Sequence, residues 1–175
     1  MEFCNLKIYQ PDGTFRTGGL SLSGDRIGAA QASADACDMG GLYAIPGLID
    51  IHFHGCAGYD LCDGTHRAIS AMARYQAESG VCAICPATMT LPEERLAAIM
   101  EAAASYQTDR RDAALVGINL EGPFLAESRK GAQNGDYLQK PDAALFRRLQ
   151  EKAQGLIKLC DLAPELPGAL DVIGG

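Results

Sequence analysis

Positive charge is scarce in this chain of 175 residues. Lysine and arginine number 15 against 22 aspartates and glutamates, for a formal net charge of −7. Basic residues adjoin only briefly, as at Arg110–Arg111 and Arg147–Arg148, and both pairs read as solvated positions. The deficit argues against the broad basic surface that nucleic-acid binding requires. Long apolar runs are missing too: no stretch approaches the roughly 20 residues that cross a bilayer. A second CxxC is also missing. Cys82 and Cys85 form a single such pair inside VCAICPATMT, which reads as a buried strand. Residues three apart on a strand point to opposite faces, so the pair is poorly placed to share one ion and reads as structural. The seven cysteines are odd in number, and the opening residues carry no secretory pattern. Both features predict a reducing, cytoplasmic setting. What remains is 47% hydrophobic and 21% charged, ordinary for a soluble domain with a core.

The first 43 residues read as short strands and turns. CNLKIYQ is a strand, Pro11-Asp12-Gly13 a turn, and GGLSLSGDRIGAA a hairpin turning at Gly24-Asp25. ASADACDMGGLY reads either as a short helix or as small residues flanking an edge strand. From residue 44 the pattern alternates. AIPGLIDIHFH is extended, and a helix capped by Asp63 or Thr65 runs from about His66 to Ser79. VCAICPAT is the next strand, and Pro92-Glu93-Glu94 opens a helix to about Tyr106. A strand over Leu115 to Glu121 precedes a loop from Gly122 to Leu138, of a length that is usually functional or disordered. Lys140-Pro141-Asp142 opens a helix to about Ala153, and LIKLCDLAPE is the fourth strand. Strands alternating with helices imply an α/β fold with parallel strands and crossover helices, in which the strands' C-terminal edge hosts the chemistry.

The chemistry-bearing residues fall at that edge. His52 and His54 lie two apart and so share a strand face. Phe53 points the other way, and Asp50 lies on the histidines' face, placed to orient a ligand imidazole or to help place a bond behind it. Glu121 ends INLEG and would stand at the same edge, where imidazole and carboxylate together suit a divalent ion. The other reading is two histidines at a surface strand's end and an exposed acid. The loop GPFLAESRKGAQNGDY, with Asn119 just upstream, mixes Glu127, Arg129, Lys130, Gln133, Asn134 and Asp136. It fits either a polar, anionic substrate or solvent.

Three segments carry a resemblance. PGLIDIHFHGCAGYDLCDGT resembles the first barrel strand of the amidohydrolase superfamily. GINLEGPFLAESRKGAQN resembles the signature loop of N-acetylglucosamine-6-phosphate deacetylases, and DLAPE their fourth-strand ending. The match runs over residues 44–167. It implies a small β-sandwich segment over 1–43, then over 44–175 the first half of a (β/α)8 barrel with about four β/α units. It further implies a cytoplasmic homodimer, a divalent metal (zinc or iron), and hydrolysis of N-acetylglucosamine 6-phosphate to glucosamine 6-phosphate and acetate. Carried over, Glu121 is the principal metal ligand, with His52 and His54 as ligands in members holding a second metal. Gln133 and Asn134 are placed to meet the substrate. His66 matches no ligand position. A complete barrel takes about 250 residues, and the family's further ligand histidines and catalytic aspartate have no counterpart here. The expectation is an enzyme as part of a longer chain, with these 175 residues inactive alone. The alternatives are a non-catalytic metal-binding or structural half-barrel, and another amidohydrolase such as a dihydroorotase-like enzyme, which fits HxH but leaves LEGPF and KGAQN unexplained.

Overall fold

The computed structural model describes residues 1–30 and 34–174. It divides into two compact units, Met1–Pro46 and Gly47–Gly175. In the first, β1 (Glu2–Tyr9), β2 (Phe15–Ser23) and β3 (Arg26–Ala29) form antiparallel hairpins. The turn at Gly24 takes a positive φ of 62°, where glycine has no Cβ to clash. Two short strands, β4 (Cys37–Asp38) and β5 (Tyr43–Ala44), then pair parallel with β1. The ASADACDMGGLY stretch begins with residues 32–33, which lie outside the described residues; its later part supplies β4 and Tyr43 of β5.

The second unit carries the expected α/β alternation, open rather than closed into a barrel. It runs β6 (Leu48–Asp50), the small hairpin β7 (Gly55–Cys56) and β8 (Tyr59–Asp60), α1 (His66–Glu78), β9 (Val81–Ile84) and α2 (Glu93–Ser105). There follow β10 (Ala114–Leu115), β11 (Ile118–Glu121), α3 (Ala143–Lys152), β12 (Ile157–Asp161) and α4 (Ala169–Gly174). β6, β9 and β10 are parallel neighbours, as are β11 and β12. A parallel bridge between Ala87 and Asn119 links the two groups, with Asn119 N–H donating to Pro86 O (3.0 Å) and Thr88 N–H to Asn119 O (3.0 Å).

The helices form where the local chemistry puts them. Thr65 Oγ1 accepts from Ala68 N–H and caps α1. Asp142 caps α3 by accepting from Ala144 N–H, and α2 starts behind Pro92 with Glu93 and Glu94 in its first turn. Ala68, Ile69, Met72, Ala73 and Gln76 recur at helical spacing and make the buried face of α1. The core packs that face against Leu96, Ile99 and Met100 of α2, Leu145 and Leu149 of α3, and Ile118 and Leu120 of β11. The opposite face of the sheet is bare. Ile49, Ile51, Val116 and Leu159 remain exposed there. No described helix is long and apolar enough to cross a membrane.

All seven cysteines are free thiols. In the CxxC pair Cys82 is exposed and Cys85 buried, so the two do face opposite ways. Burial pushes the Cys62 thiol up to about 12 and the Cys160 thiol up to about 11. A brief alkylation pulse should therefore label exposed Cys37 and Cys82 first, and Cys62, Cys85 and Cys160 last, as read by peptide mass spectrometry. The linkage runs in one direction. A raised thiol stabilises the fold below its ordinary value of 9.0. That contribution is lost as pH climbs from there toward each folded value.

Candidate metal centre

β6 ends at Asp50, but the ladder continues irregularly. Cys85 N–H donates to Asp50 O (2.8 Å) and Ala87 N–H to Phe53 O (2.8 Å). Three steps on one side thus match two on the other, a bulge of one residue. The bulge takes the His52 N–H out of the ladder, and Asp50 Oδ1 accepts it at 3.1 Å. Asp50 Oδ2 accepts from Gln76 Nε2 of α1 at 2.9 Å. Asp50 thus makes its bond behind the ligands to the backbone of His52 rather than to its ring, and its second bond ties it to α1. Beyond the bulge Phe53 turns into the core. His52 and His54 emerge together on the bare face, ring centroids 5.3 Å apart.

Glu121, the last residue of β11, meets them. His54 Nε2 lies 3.1 Å and His52 Nε2 3.4 Å from Glu121 Oε2. Each of the three residues offers an atom within 4.8 Å of the others, the one such group among the described residues. Glu121 Oε2 is nevertheless buried without a hydrogen-bond partner, as is His54 Nδ1. A buried carboxylate oxygen in that state is costly. Metal bonds of about 2.0–2.1 Å around a tetrahedral ion put ligand atoms about 3.3 Å from one another, close to the spacing here. The donor set, its spacing and the orphaned oxygen fit a divalent cation.

What surrounds Glu121 explains its aim. Its N–H donates to Thr88 Oγ1 (3.1 Å). Gln133 reaches back from the loop, its Nε2 donating to Glu121 Oε1 (2.8 Å) and its Oε1 accepting from Thr90 N–H (2.6 Å). With Oε1 engaged, Oε2 is left to the imidazoles. Gln133, expected to meet the substrate, is 3% exposed, with its amide bonded at both ends. Asn134 is exposed, and its side chain accepts from Asp136 N–H (3.0 Å), capping a turn of 3-10 helix over Gly135–Tyr137. The loop thus folds over the strands' C-terminal edge. Gly122 begins it at a φ of 77°, pressed so close to Thr90 that any Cβ there would collide.

Two further residues flank the site. Asn119 Nδ2 lies 2.9 Å from His52 Nδ1. Asp161, paired with Glu121 across β11 and β12, places Oδ2 at 3.9 Å from the same nitrogen. The sequence signal for both was parity: each lies an even number of residues from Glu121 or at its strand partner's position, hence on the same sheet face.

The chain is 35% identical over 144 residues, 82% of its length, to the N-acetylglucosamine-6-phosphate deacetylase of Vibrio furnissii, of which it covers 36%. It is 33% identical over 129 residues to the N-acetylgalactosamine-6-phosphate deacetylase of Escherichia coli O157:H7, using 73% of this chain and 34% of that one. The crystal structure of N-acetyl-D-glucosamine-6-phosphate deacetylase from Mycobacterium smegmatis superposes with a TM-score of 0.84 at 26% identity, over 99% of this chain and 46% of that one. No family model matches the chain. It spans about a third of the length of these curated relatives and under half of the solved enzyme. Over the part of those proteins that it spans, the chain belongs to the N-acetylglucosamine-6-phosphate deacetylase family.

Proposed function

We propose that the chain forms the metal-holding part of a deacetylase that hydrolyses the acetamido group of N-acetylglucosamine 6-phosphate to give glucosamine 6-phosphate and acetate. The observation that carries this reading is the convergence of His52, His54 and Glu121 on one buried, unpartnered carboxylate oxygen. These three residues would hold the cation. Nitrogen and oxygen donors of this kind suit zinc or iron. When bound, such an ion lowers the pKa of its water and polarises the amide carbonyl. The chain's own contribution is placement. Gln133 occupies Oε1 of Glu121, and Asp50 fixes the backbone from which His52 projects. Glu121, used as a ligand, cannot also act as the free base, and the aspartate that the family resemblance calls for has no counterpart in these residues. The whole protein is read as a cytoplasmic homodimer.

The test is acetate release by the whole protein of which this chain is part, loaded with zinc or iron, against a metal-depleted control. N-acetylglucosamine 6-phosphate is the expected substrate. Its galactosamine epimer is run beside it, because one relative is named for that sugar. Metal-dependent acetate release from the glucosamine compound is expected, with no turnover from the 175-residue chain alone. No acetate from either sugar would overturn the reading, and robust turnover by the chain alone would overturn its account of the missing base.

A further inference from the structure

Asn119 is an anomaly inside the cluster. It is 3% exposed, and its Oδ1 is buried without a partner, while its Nδ2 sits against His52 Nδ1. A neutral imidazole carries one N–H, so what faces Nδ1 decides what Nε2 can do. With the amide nitrogen facing it, Nδ1 must be the acceptor. The proton then sits on Nε2, which points at Glu121 Oε2 from 3.4 Å. That leaves Nε2 with no lone pair to offer a cation. A cation needs the Nε2 lone pair, which moves the proton to Nδ1 and requires an acceptor there. Asp161 Oδ2, at 3.9 Å, is beyond hydrogen-bond reach. Asn119 is within it, and an amide exchanges donor for acceptor by a half-turn about its last bond. No bond on the Oδ1 side has to break for that turn, because Oδ1 has none.

We infer that Asn119 is a positioning residue that sets the tautomer of His52, its amide reversing from nitrogen-inward to oxygen-inward as a cation binds. The inference rests on the reading of His52, His54 and Glu121 as cation ligands. An asparagine serves both states at this position. An aspartate would only accept, holding the proton on Nδ1 throughout, and a leucine would do neither.

The experiment uses the full chain and two readouts. The first is the ¹⁵N two-bond imidazole spectrum of His52, recorded with and without zinc. The second is zinc affinity by competition with a chromophoric chelator, with circular dichroism to verify folding. In the native chain His52 should carry its proton on Nε2 without zinc and on Nδ1 with it. Asn119→Asp should place it on Nδ1 even without zinc and bind zinc at least as tightly as the native chain. Asn119→Leu should bind about 10–100-fold more weakly, the usual cost of losing a partner to a ligand histidine. An Nδ1 proton in the zinc-free native chain, or an Nε2 proton in Asn119→Asp, would overturn the inference. So would a folded Asn119→Leu with native zinc affinity. If Asn119→Leu does not fold, the Asn119→Asp spectrum decides. If the native chain binds no zinc, the cation reading fails separately, and the zinc-free spectra still decide for or against Asn119 as the group that sets the tautomer.

Discussion

Replacing Glu121 with glutamine should abolish cation binding at near-neutral pH, although the side chain keeps its size. The reason lies in Gln133. Its Nε2 donates to Glu121 Oε1, so a glutamine at 121 would turn its own oxygen toward Gln133 to avoid two donors meeting. Its NH₂ would then face His52 and His54, where Oε2 now stands 3.4 and 3.1 Å from their Nε2 atoms. The variant loses the charge and also presents donors where a cation requires lone pairs. The loss of zinc affinity should exceed the roughly 10–100-fold typical of outer hydrogen-bond partners. Zinc content after dialysis against a weak chelator measures it. In the whole protein, acetate release should fall in parallel. Native zinc content in Glu121→Gln would remove Glu121 from the ligand set.

The second large effect is on stability. Phe124→Ala should cost about 3–5 kcal/mol, the range for emptying a large buried aromatic site. Phe124 is fully buried, and its carbonyl accepts from Ala163 N–H (2.9 Å) just beyond β12. It therefore ties the start of the loop to the far strand as well as filling the core. Urea unfolding should show a lower midpoint with an unchanged slope. A change below 1 kcal/mol (on the scale of a surface substitution) would mean the core closes over the gap. In that case the loop is not anchored through this ring.

Much of this architecture is legible in the sequence because it is local. Thr65, Pro92 and Asp142 mark helix starts through groups only a few residues away, and period-two spacing puts His52 and His54 on one face. Contacts distant in sequence are not legible in this way. Gln133 reads as a loop amide open to substrate, because nothing near it in sequence announces Thr90, 43 residues away, or the waiting Glu121 Oε1. For Asp50 the sequence leaves open whether it meets an imidazole ring or another group behind the ligands. The bulge at residues 51–52 frees a backbone N–H, and the carboxylate goes there. Asn119 reads as one more polar residue beside the loop, and its place against His52 shows only once the strands are paired. The short helix Ala169–Gly174, six residues with Ala169 and Val172 buried, is too brief for its spacing to mark it.

The ties around Glu121 have a consequence for the order in which the protein folds. His52 meets Asn119 across 67 residues of sequence, and Thr90 meets Gln133 across 43. Closing such loops precedes any reward from the contacts they permit. Helices α1, α2 and α3 can gather early on local signals. The three ligand side chains converge only after β6, the stretch from β9 to Ala87, and β11 have paired. In a refolding chain, capture of a cation that needs all three ligands is therefore expected late. Its appearance reports the completed topology rather than the first collapse.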